Sequence, residues 1–146
     1  MPDIVLERAI GAGRERVFAA LTQPDELARW WTDDLSATPE VGALAVVRFN
    51  QGQAVRQFEV AELVPGEFVR WMVRRGPAHW AGTSVTWLLS PVQARTRLRF
   101  AHAGFAAVDA LYEQTRTEWR FYLDSLTTYL ETGKGTPYVK GALDPL

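Results

Sequence analysis

Few residues of this 146-residue chain could do chemistry. There is no cysteine, and the only histidines, His79 and His102, are far apart in sequence and lie outside any His-x-x-x-His or glutamate-rich cluster. Thiolate chemistry, disulfides and cysteine-ligated zinc are excluded, and we predict no metal site. The Gly-Ala-Gly run at 11–13 lacks the Gly-Lys-Ser/Thr of a phosphate-binding loop, and there is no Gly-x-Ser-x-Gly elbow. We therefore expect neither a nucleotide nor any other cofactor.

His102 is the one candidate for general acid–base catalysis. It alternates with Leu98 and Phe100, so its side chain is expected to point toward the interior. An imidazole with an ordinary pKa of about 6.5 could pass a proton to an enolising substrate. The competing interpretation is that His102 hydrogen-bonds a neighbour and supports the turn at Gly104. No second inward acid or base is evident, so we favour that structural role and keep a cyclase or lyase-type enzyme as an alternative.

The aromatic residues give a stronger indication. The chain has six tryptophans, whose large apolar rings line pockets as readily as they fill cores. The side chains expected to surround a cavity between a sheet and a C-terminal helix are Trp71, Trp87, Phe100, His102, Trp119, Tyr122 and Leu126. We predict that this cavity binds an apolar or aromatic small molecule, and the alternative is a solid aromatic core.

The elements that must position these residues follow from hydrophobic periodicity. A first strand at 3–10, with Ile4, Leu6 and Ala9 on one face, precedes two short helices separated at Pro24 and then a loop at 32–42. Five strands separated by turn residues follow, at 43–50, 54–64, 68–75, 83–90 and 95–103. An apolar stripe of roughly 25 residues from Val108 to Leu130 predicts a long helix ending at Gly133. The fold class is therefore α+β, with a curved antiparallel sheet of about six strands around one long helix.

The outer face of the sheet carries the remaining candidates. The exposed phase of the last strand holds Arg95, Arg97 and Arg99, which together with Arg74 and Arg75 make this face locally basic. Such a face is usually only solvated, but it could also dock a chaperone partner, which we treat as a less favoured alternative. Leu44 and Val46 are expected to face outward and could support a weak homodimer. The pattern around Arg56 does not decide which way that side chain points.

Composition bounds the other possibilities. The formal net charge is −1, so we expect no nucleic-acid partner, and no apolar run approaches the length that spans a bilayer. The N-terminus lacks a basic segment leading into an apolar one, so we expect no signal peptide and a cytoplasmic protein. We predict one domain over 1–146, with a core at about 3–132 and a tail at 133–146 that leaves the domain.

Four motifs in order resemble a known family. They are Leu-Ala-Arg-Trp-Trp at 27–31, Thr-Arg-Leu-Arg-Phe-Ala-His-Ala-Gly-Phe at 96–105, the helical set Trp119, Leu123 and Leu126, and Tyr-Leu-Glu-Thr-Gly-Lys-Gly at 129–135. The chain thus resembles the START-like (SRPBCC) superfamily, in the branch similar to the activator of the heat-shock-protein-90 ATPase. The resemblance implies a helix-grip fold and places Trp30, Trp31 and Phe105 near the cavity mouth. It implies no single function, because the superfamily includes ligand carriers, cyclase-like enzymes, stress-response proteins and co-chaperone domains.

Overall fold

The computed structural model describes residues 2–139, which form seven strands and three α-helices. The chain begins with β1 (Ile4–Ile10), α1 (Arg14–Thr22) and α2 (Pro24–Trp30). The next strands are β2 (Leu35–Ser36), β3 (Leu44–Phe49), β4 (Ala54–Val64) and β5 (Phe68–Arg75). A single 3₁₀ turn (Ala78–Trp80) then precedes β6 (Ser84–Val92), β7 (Arg95–Ala103) and the long helix α3 (Ala110–Thr132).

The strands form one antiparallel sheet in the order β1-β7-β6-β5-β4-β3-β2. The predicted α+β helix-grip class is confirmed, with one strand more than the roughly six expected. The extra strand, β2, has two residues and lies inside the predicted 32–42 loop, where Leu35 pairs with Val47 and Ser36 with Val46. A strand this short leaves no alternation that the sequence could reveal.

The two faces of the sheet separate as predicted in the late strands. Trp87 and Phe100 are fully buried, whereas Arg95, Arg97 and Arg99 are exposed. In β1 the prediction for Ala9 is wrong, because Ala9 is exposed and Ile10 is buried in its place.

Helix α3 lies along β1, at one edge of the sheet. Three side-chain contacts follow one another along the two elements: Tyr112 to the Asp3 carbonyl, Arg8 to Asp124, and Glu131 to the Gly11 amide, each at 2.8–2.9 Å. Because the helix is held at the β1 edge, space remains at the other edge, near the β3–β4 hairpin.

The ends of α3 have well-defined caps. The Asp109 side chain accepts a hydrogen bond from the Tyr112 amide at 2.9 Å, and Gly133 ends the helix at φ +86°. The predicted stop at Gly133 is confirmed. The predicted stripe is wrong at its start, because Val108 precedes the helix and both Val108 and Leu111 are exposed, by 63% and 49%. Leu111 lines an open groove instead of packing on the sheet.

The segment after α3 returns to the domain, so the predicted departing tail is wrong for residues 133–139. The Ser125 hydroxyl donates to the Trp30 carbonyl at 2.8 Å and accepts from the Thr136 amide at 2.7 Å. Gly135 permits this approach, because a Cβ there would lie 2.7 Å from the Arg29 carbonyl oxygen. A bridge between Thr32 and Tyr138 then fixes the end of the segment. The rest of the predicted tail, 140–146, lies outside the described residues.

Candidate functional site

A cavity of about 320 Å³ lies between α3, the β3–β4 hairpin and the returning segment. We call it the aromatic cleft. It is lined by Trp31, Phe49, Asn50, Ala54, Arg56, Trp80, Glu118, Trp119, Tyr122 and Tyr138. Its volume falls at the lower end of the range of small-molecule sites. The exposed side chains of Asn50 and Glu118 mark its opening to solvent.

A second groove of about 340 Å³ adjoins the aromatic cleft. The two share Arg56, Trp80 and Glu118. The other residues that line this groove are Pro77, Ala78, His79, Leu111, Gln114 and Thr115. The aromatic cleft and this groove therefore lie next to each other and share one wall.

The inner wall of the aromatic cleft is held rigidly by the core behind it. Trp31, the residue that directly follows α2, is only 3% exposed and stacks between Trp30 and Trp71, with each pair of ring centroids 5.7 Å apart. Trp80 donates its indole hydrogen to the Thr115 hydroxyl at 3.1 Å. These rings are therefore fixed before any ligand arrives.

The outer wall depends on the hairpin and on the returning segment. Phe49 at the end of β3 packs against Tyr122 of α3 and against Tyr138, at centroid distances of 5.8 and 5.7 Å. The Tyr138 hydroxyl accepts a hydrogen bond from the backbone N–H of Gln51 at 2.8 Å. The segment at 133–139 thus closes one side of the cleft.

Two charged residues face each other across the site. The Arg56 guanidinium lies over the Trp80 ring at 5.0 Å and donates to the Val55 carbonyl at 3.3 Å. This settles the orientation that the sequence left open: Arg56 points into the cleft. Burial lowers the pKa of Arg56, an effect that the Glu118 carboxylate partly offsets.

Tyr122 is a neutral polar group on the wall of the aromatic cleft. Burial, followed by the charge of Glu118 and the presence of Tyr138, raises its pKa to about 12. The phenol therefore keeps its proton at physiological pH and can serve a ligand as a hydrogen-bond donor or acceptor.

His102 is sealed within the core. It has no exposed surface, and burial lowers its pKa to about 3, with a smaller contribution from His79. Its Nδ1 accepts from the Trp119 indole at 3.0 Å, which leaves the proton on Nε2, 2.8 Å from the Thr83 hydroxyl. Thr83 donates in turn to the Trp80 carbonyl at 2.6 Å. Both ring nitrogens are thus occupied by structural hydrogen bonds.

The structure brings some of the predicted lining residues to the aromatic cleft and leaves others in the core. Trp119 and Tyr122 line it, as does Trp31 from the predicted mouth. The remaining predicted residues are absent from its lining and are buried in the core: Trp71, Trp87, Phe100, His102, Leu126, Trp30 and Phe105. Phe100 and Trp119 are 4.6 Å apart, so here α3 lies directly on the sheet with no space between them.

Several lining residues were not identified from the sequence. Phe49 and Ala54 flank a Gln-Gly turn, Trp80 lies in a short turn between Pro77 and Gly82, and Tyr138 lies in the segment expected to leave. A tryptophan in a Gly/Pro-flanked turn was a usable signal for Trp80. Nothing in the local pattern pointed to Tyr138.

Trp87 has an unusual buried donor. Its indole N–H is the one buried side-chain polar atom among residues 2–139 without a nitrogen or oxygen partner. The Trp87 ring packs edge-to-face with Trp30 and Phe100, at centroid distances of 6.1 and 4.8 Å.

Residues 2–139 contain neither a metal-binding cluster nor a membrane-spanning helix. No three His, Cys, Asp or Glu side chains lie together there in a way that could hold a metal ion. No helix in this part of the chain is long and apolar enough to cross a membrane.

Comparison with protein families gives one match that covers most of the chain. The family model described as "Activator of Hsp90 ATPase homolog 1-like protein" matches residues 12–131. No curated protein matches the chain.

Several solved structures are also similar to this chain. The solution structure of the Aha1 dimer from Colwellia psychrerythraea is 34% identical, with a TM-score of 0.85 over 92% of this chain and 100% of that one. Protein MLL2253 from Mesorhizobium loti is 25% identical, with a TM-score of 0.78 over 89% and 97% of the two chains. DynU16, from the dynemicin biosynthetic locus, is 26% identical, with a TM-score of 0.76 over 91% of this chain and 48% of that one.

Proposed function

Because the chain belongs to the family of Activator of Hsp90 ATPase homolog 1-like proteins and has its ligand-binding helix-grip fold, we propose that it binds a small apolar, aromatic molecule in the aromatic cleft. Neither a metal nor a nucleotide takes part in this proposal. The observation that carries it is the open cavity of about 320 Å³ whose walls include six aromatic side chains.

The construction of the cleft favours binding. Trp31 is fixed by stacking on Trp71, and Trp119 by its hydrogen bond to His102, so little conformational freedom is lost when a ligand enters. A flat ring between such walls gains hydrophobic burial and offset stacking. Arg56, Tyr122 and Glu118 supply the few polar groups that orient a ligand in an otherwise apolar site.

The environment of His102 favours binding over catalysis. An acid or base must reach its substrate, and His102 has neither an exposed atom nor a free ring nitrogen. The geometry therefore gives no support to the cyclase or lyase alternative that relies on this residue.

A chaperone-interaction module is the second candidate, because the family description names an ATPase activator. Its docking surface would be the basic outer face of the sheet. Part of that charge is already paired, since Arg99 contacts Glu7 at 3.6 Å and Arg74 contacts Glu59 at 3.0 Å. We therefore rank this candidate below binding in the cleft.

Filling the cleft should abolish ligand binding. Ala54 lies on its wall at the start of β4, so Ala54→Trp places an indole in the space that the ligand needs. We expect affinity for a flat aromatic probe such as 2-naphthamide to fall at least about tenfold, measured by isothermal titration calorimetry.

The matched control is Ala9→Trp, which adds the same side chain at an exposed position on β1. This variant should bind as the wild type does. If Ala54→Trp also bound normally, the ligand site would lie elsewhere and the proposal would be abandoned.

Self-association is a further proposal, because the related Aha1 from Colwellia psychrerythraea forms a dimer. Leu44 is 47% exposed on the outer face of β3, with Val46 beside it. If these residues form the contact, Leu44→Lys/Val46→Lys should weaken association at least about tenfold in sedimentation equilibrium, because two apolar side chains lose their burial.

Leu88→Lys is the control, since Leu88 is 43% exposed on the same face. A wild-type protein that stayed monomeric at all concentrations would rule out this dimer. A dimer unaffected by the double substitution would rule out this contact.

A further inference from the structure

Arg56 differs from the other partly buried arginines of the described chain. Within residues 2–139, four arginines are neither fully exposed nor fully buried. Arg8, Arg14 and Arg48 each have a carboxylate oxygen within 4.0 Å, from Asp124, Glu67 and Asp34 respectively. Arg56 has no such partner among the described residues, although burial lowers its pKa.

The hydrogen-bonding capacity of Arg56 is also largely unused. A guanidinium has five N–H donors, and the described contact is one bond at 3.3 Å to the Val55 carbonyl. The guanidinium carbon lies over the Trp80 ring, 5.0 Å from the ring centroid. A cation that is partly desolvated, oriented and unpaired at the wall of a cavity is prepared to receive an anion.

We propose that Arg56 binds the carboxylate of an aromatic acid whose ring system occupies the aromatic cleft. This inference rests on the proposed function and adds to it the charge class of the ligand. The planar fork of a guanidinium matches the two oxygens of a carboxylate, and the resulting charge-assisted hydrogen bonds are short and directional. The aromatic walls and Arg56 line the same cavity, so one ligand can contact both.

Glu118 has an opposing influence on such a ligand. Its carboxylate lines both parts of the site but lies farther than 4.0 Å from the Arg56 guanidinium, and its side chain is exposed. Its charge partly offsets the effect of burial on Arg56 across the cleft. Once a ligand carboxylate is bound, Glu118 repels it, so removing this charge should strengthen binding.

Three probes with the same ring system separate charge from shape. They are 2-naphthoate, 2-naphthamide and 2-naphthylmethylammonium, titrated by calorimetry into the wild type and its variants at pH 7. The wild type should bind 2-naphthoate most tightly and 2-naphthylmethylammonium most weakly. Arg56→Gln should lower the affinity for 2-naphthoate about tenfold to a hundredfold, while the affinity for 2-naphthamide stays within about threefold of the wild-type value. Glu118→Gln should raise the affinity for 2-naphthoate by about twofold to fivefold.

The control variant is Arg97→Gln, which removes the same charge from the outer face of the sheet. It should leave all three affinities unchanged. Binding of 2-naphthamide by Arg56→Gln also reports that this variant is folded with an intact cleft.

The outcomes distinguish this inference from the proposed function. If the wild type bound 2-naphthoate and 2-naphthamide equally, or if Arg56→Gln lowered both affinities equally, the role of Arg56 as an anion receptor would be refuted. The proposed binding of an aromatic ligand in the cleft would not be affected by that result. If the wild type bound none of the three probes, the proposed function would fail and this inference with it.

Discussion

A His102→Gln variant is expected to unfold with a much weaker pH dependence than the wild-type protein. Burial holds the pKa of His102 at about 3 in the folded state, whereas an imidazole in the unfolded chain titrates near 6.5. Between these values the unfolded state binds one more proton than the folded state. The free energy of unfolding contributed by this residue is therefore fully present above pH 6.5 and declines as the pH falls toward 3.

The size of this effect makes it measurable in a convenient range. We expect the free energy of unfolding of the wild type to fall by about 2–3 kcal/mol between pH 6.5 and pH 4.5 because of this group. Urea unfolding at a series of pH values measures this loss. Glutamine does not titrate there, and its amide can accept from Trp119 and donate to Thr83 as the imidazole does.

His79→Gln is the control for His102→Gln, because it removes the other histidine of the chain. It should keep most of the wild-type pH dependence, since His79 is only the smaller cause of the His102 shift. A His102→Gln variant with the full wild-type slope would show that His102 is not the neutral, buried group described above.

Trp119→Ala should destabilise the protein by about 3–5 kcal/mol. Trp119 is 3% exposed, with Phe100 at 4.6 Å and Trp31 at 5.7 Å between ring centroids. Its removal empties the position where α3 meets the sheet and leaves the His102 Nδ1 without a donor. Urea unfolding at pH 7 measures the loss.

Two variants locate the origin of that loss. Trp119→Phe keeps most of the packing and removes only the indole donor. We expect it to lower the free energy of unfolding by about 1–3 kcal/mol, because His102 Nδ1 is left without a hydrogen-bond donor. Phe121→Ala, at a position 52% exposed on the same helix, should cost far less. Equal losses for Trp119→Ala and Phe121→Ala would contradict the packing described for α3.

The fold could be predicted because its signals are local and repeated. In β6 and β7 the alternation of Val85, Trp87 and Leu89, and of Leu98 and Phe100, is uninterrupted, and one helical period runs through α3. The return of residues 133–139 has no such signal. It depends on tertiary contacts of Ser125 and on the small size of Gly135.

The candidate site was predicted less completely, for a geometric reason. Alternation tells which side chains face the helix, but it does not tell where along the sheet the helix lies. Hydrogen bonds to Asp3, Arg8 and Gly11 hold α3 at the β1 edge, so Trp87 and Phe100 are covered. The open space is left beside Phe49 and Arg56, and the pattern of the strand that carries Arg56 was ambiguous.

The central claim, that a ligand occupies the aromatic cleft, is tested most directly by the six tryptophan indole N–H signals in a ¹H–¹⁵N NMR titration with 2-naphthoate and 2-naphthamide. Trp31, Trp80 and Trp119 line the cleft, whereas Trp30, Trp71 and Trp87 do not. We predict that the first three signals shift most and saturate together, and that Ala54→Trp abolishes their shifts. Signals that remain unchanged, or shifts of equal size at all six indoles, would contradict a ligand site in the cleft.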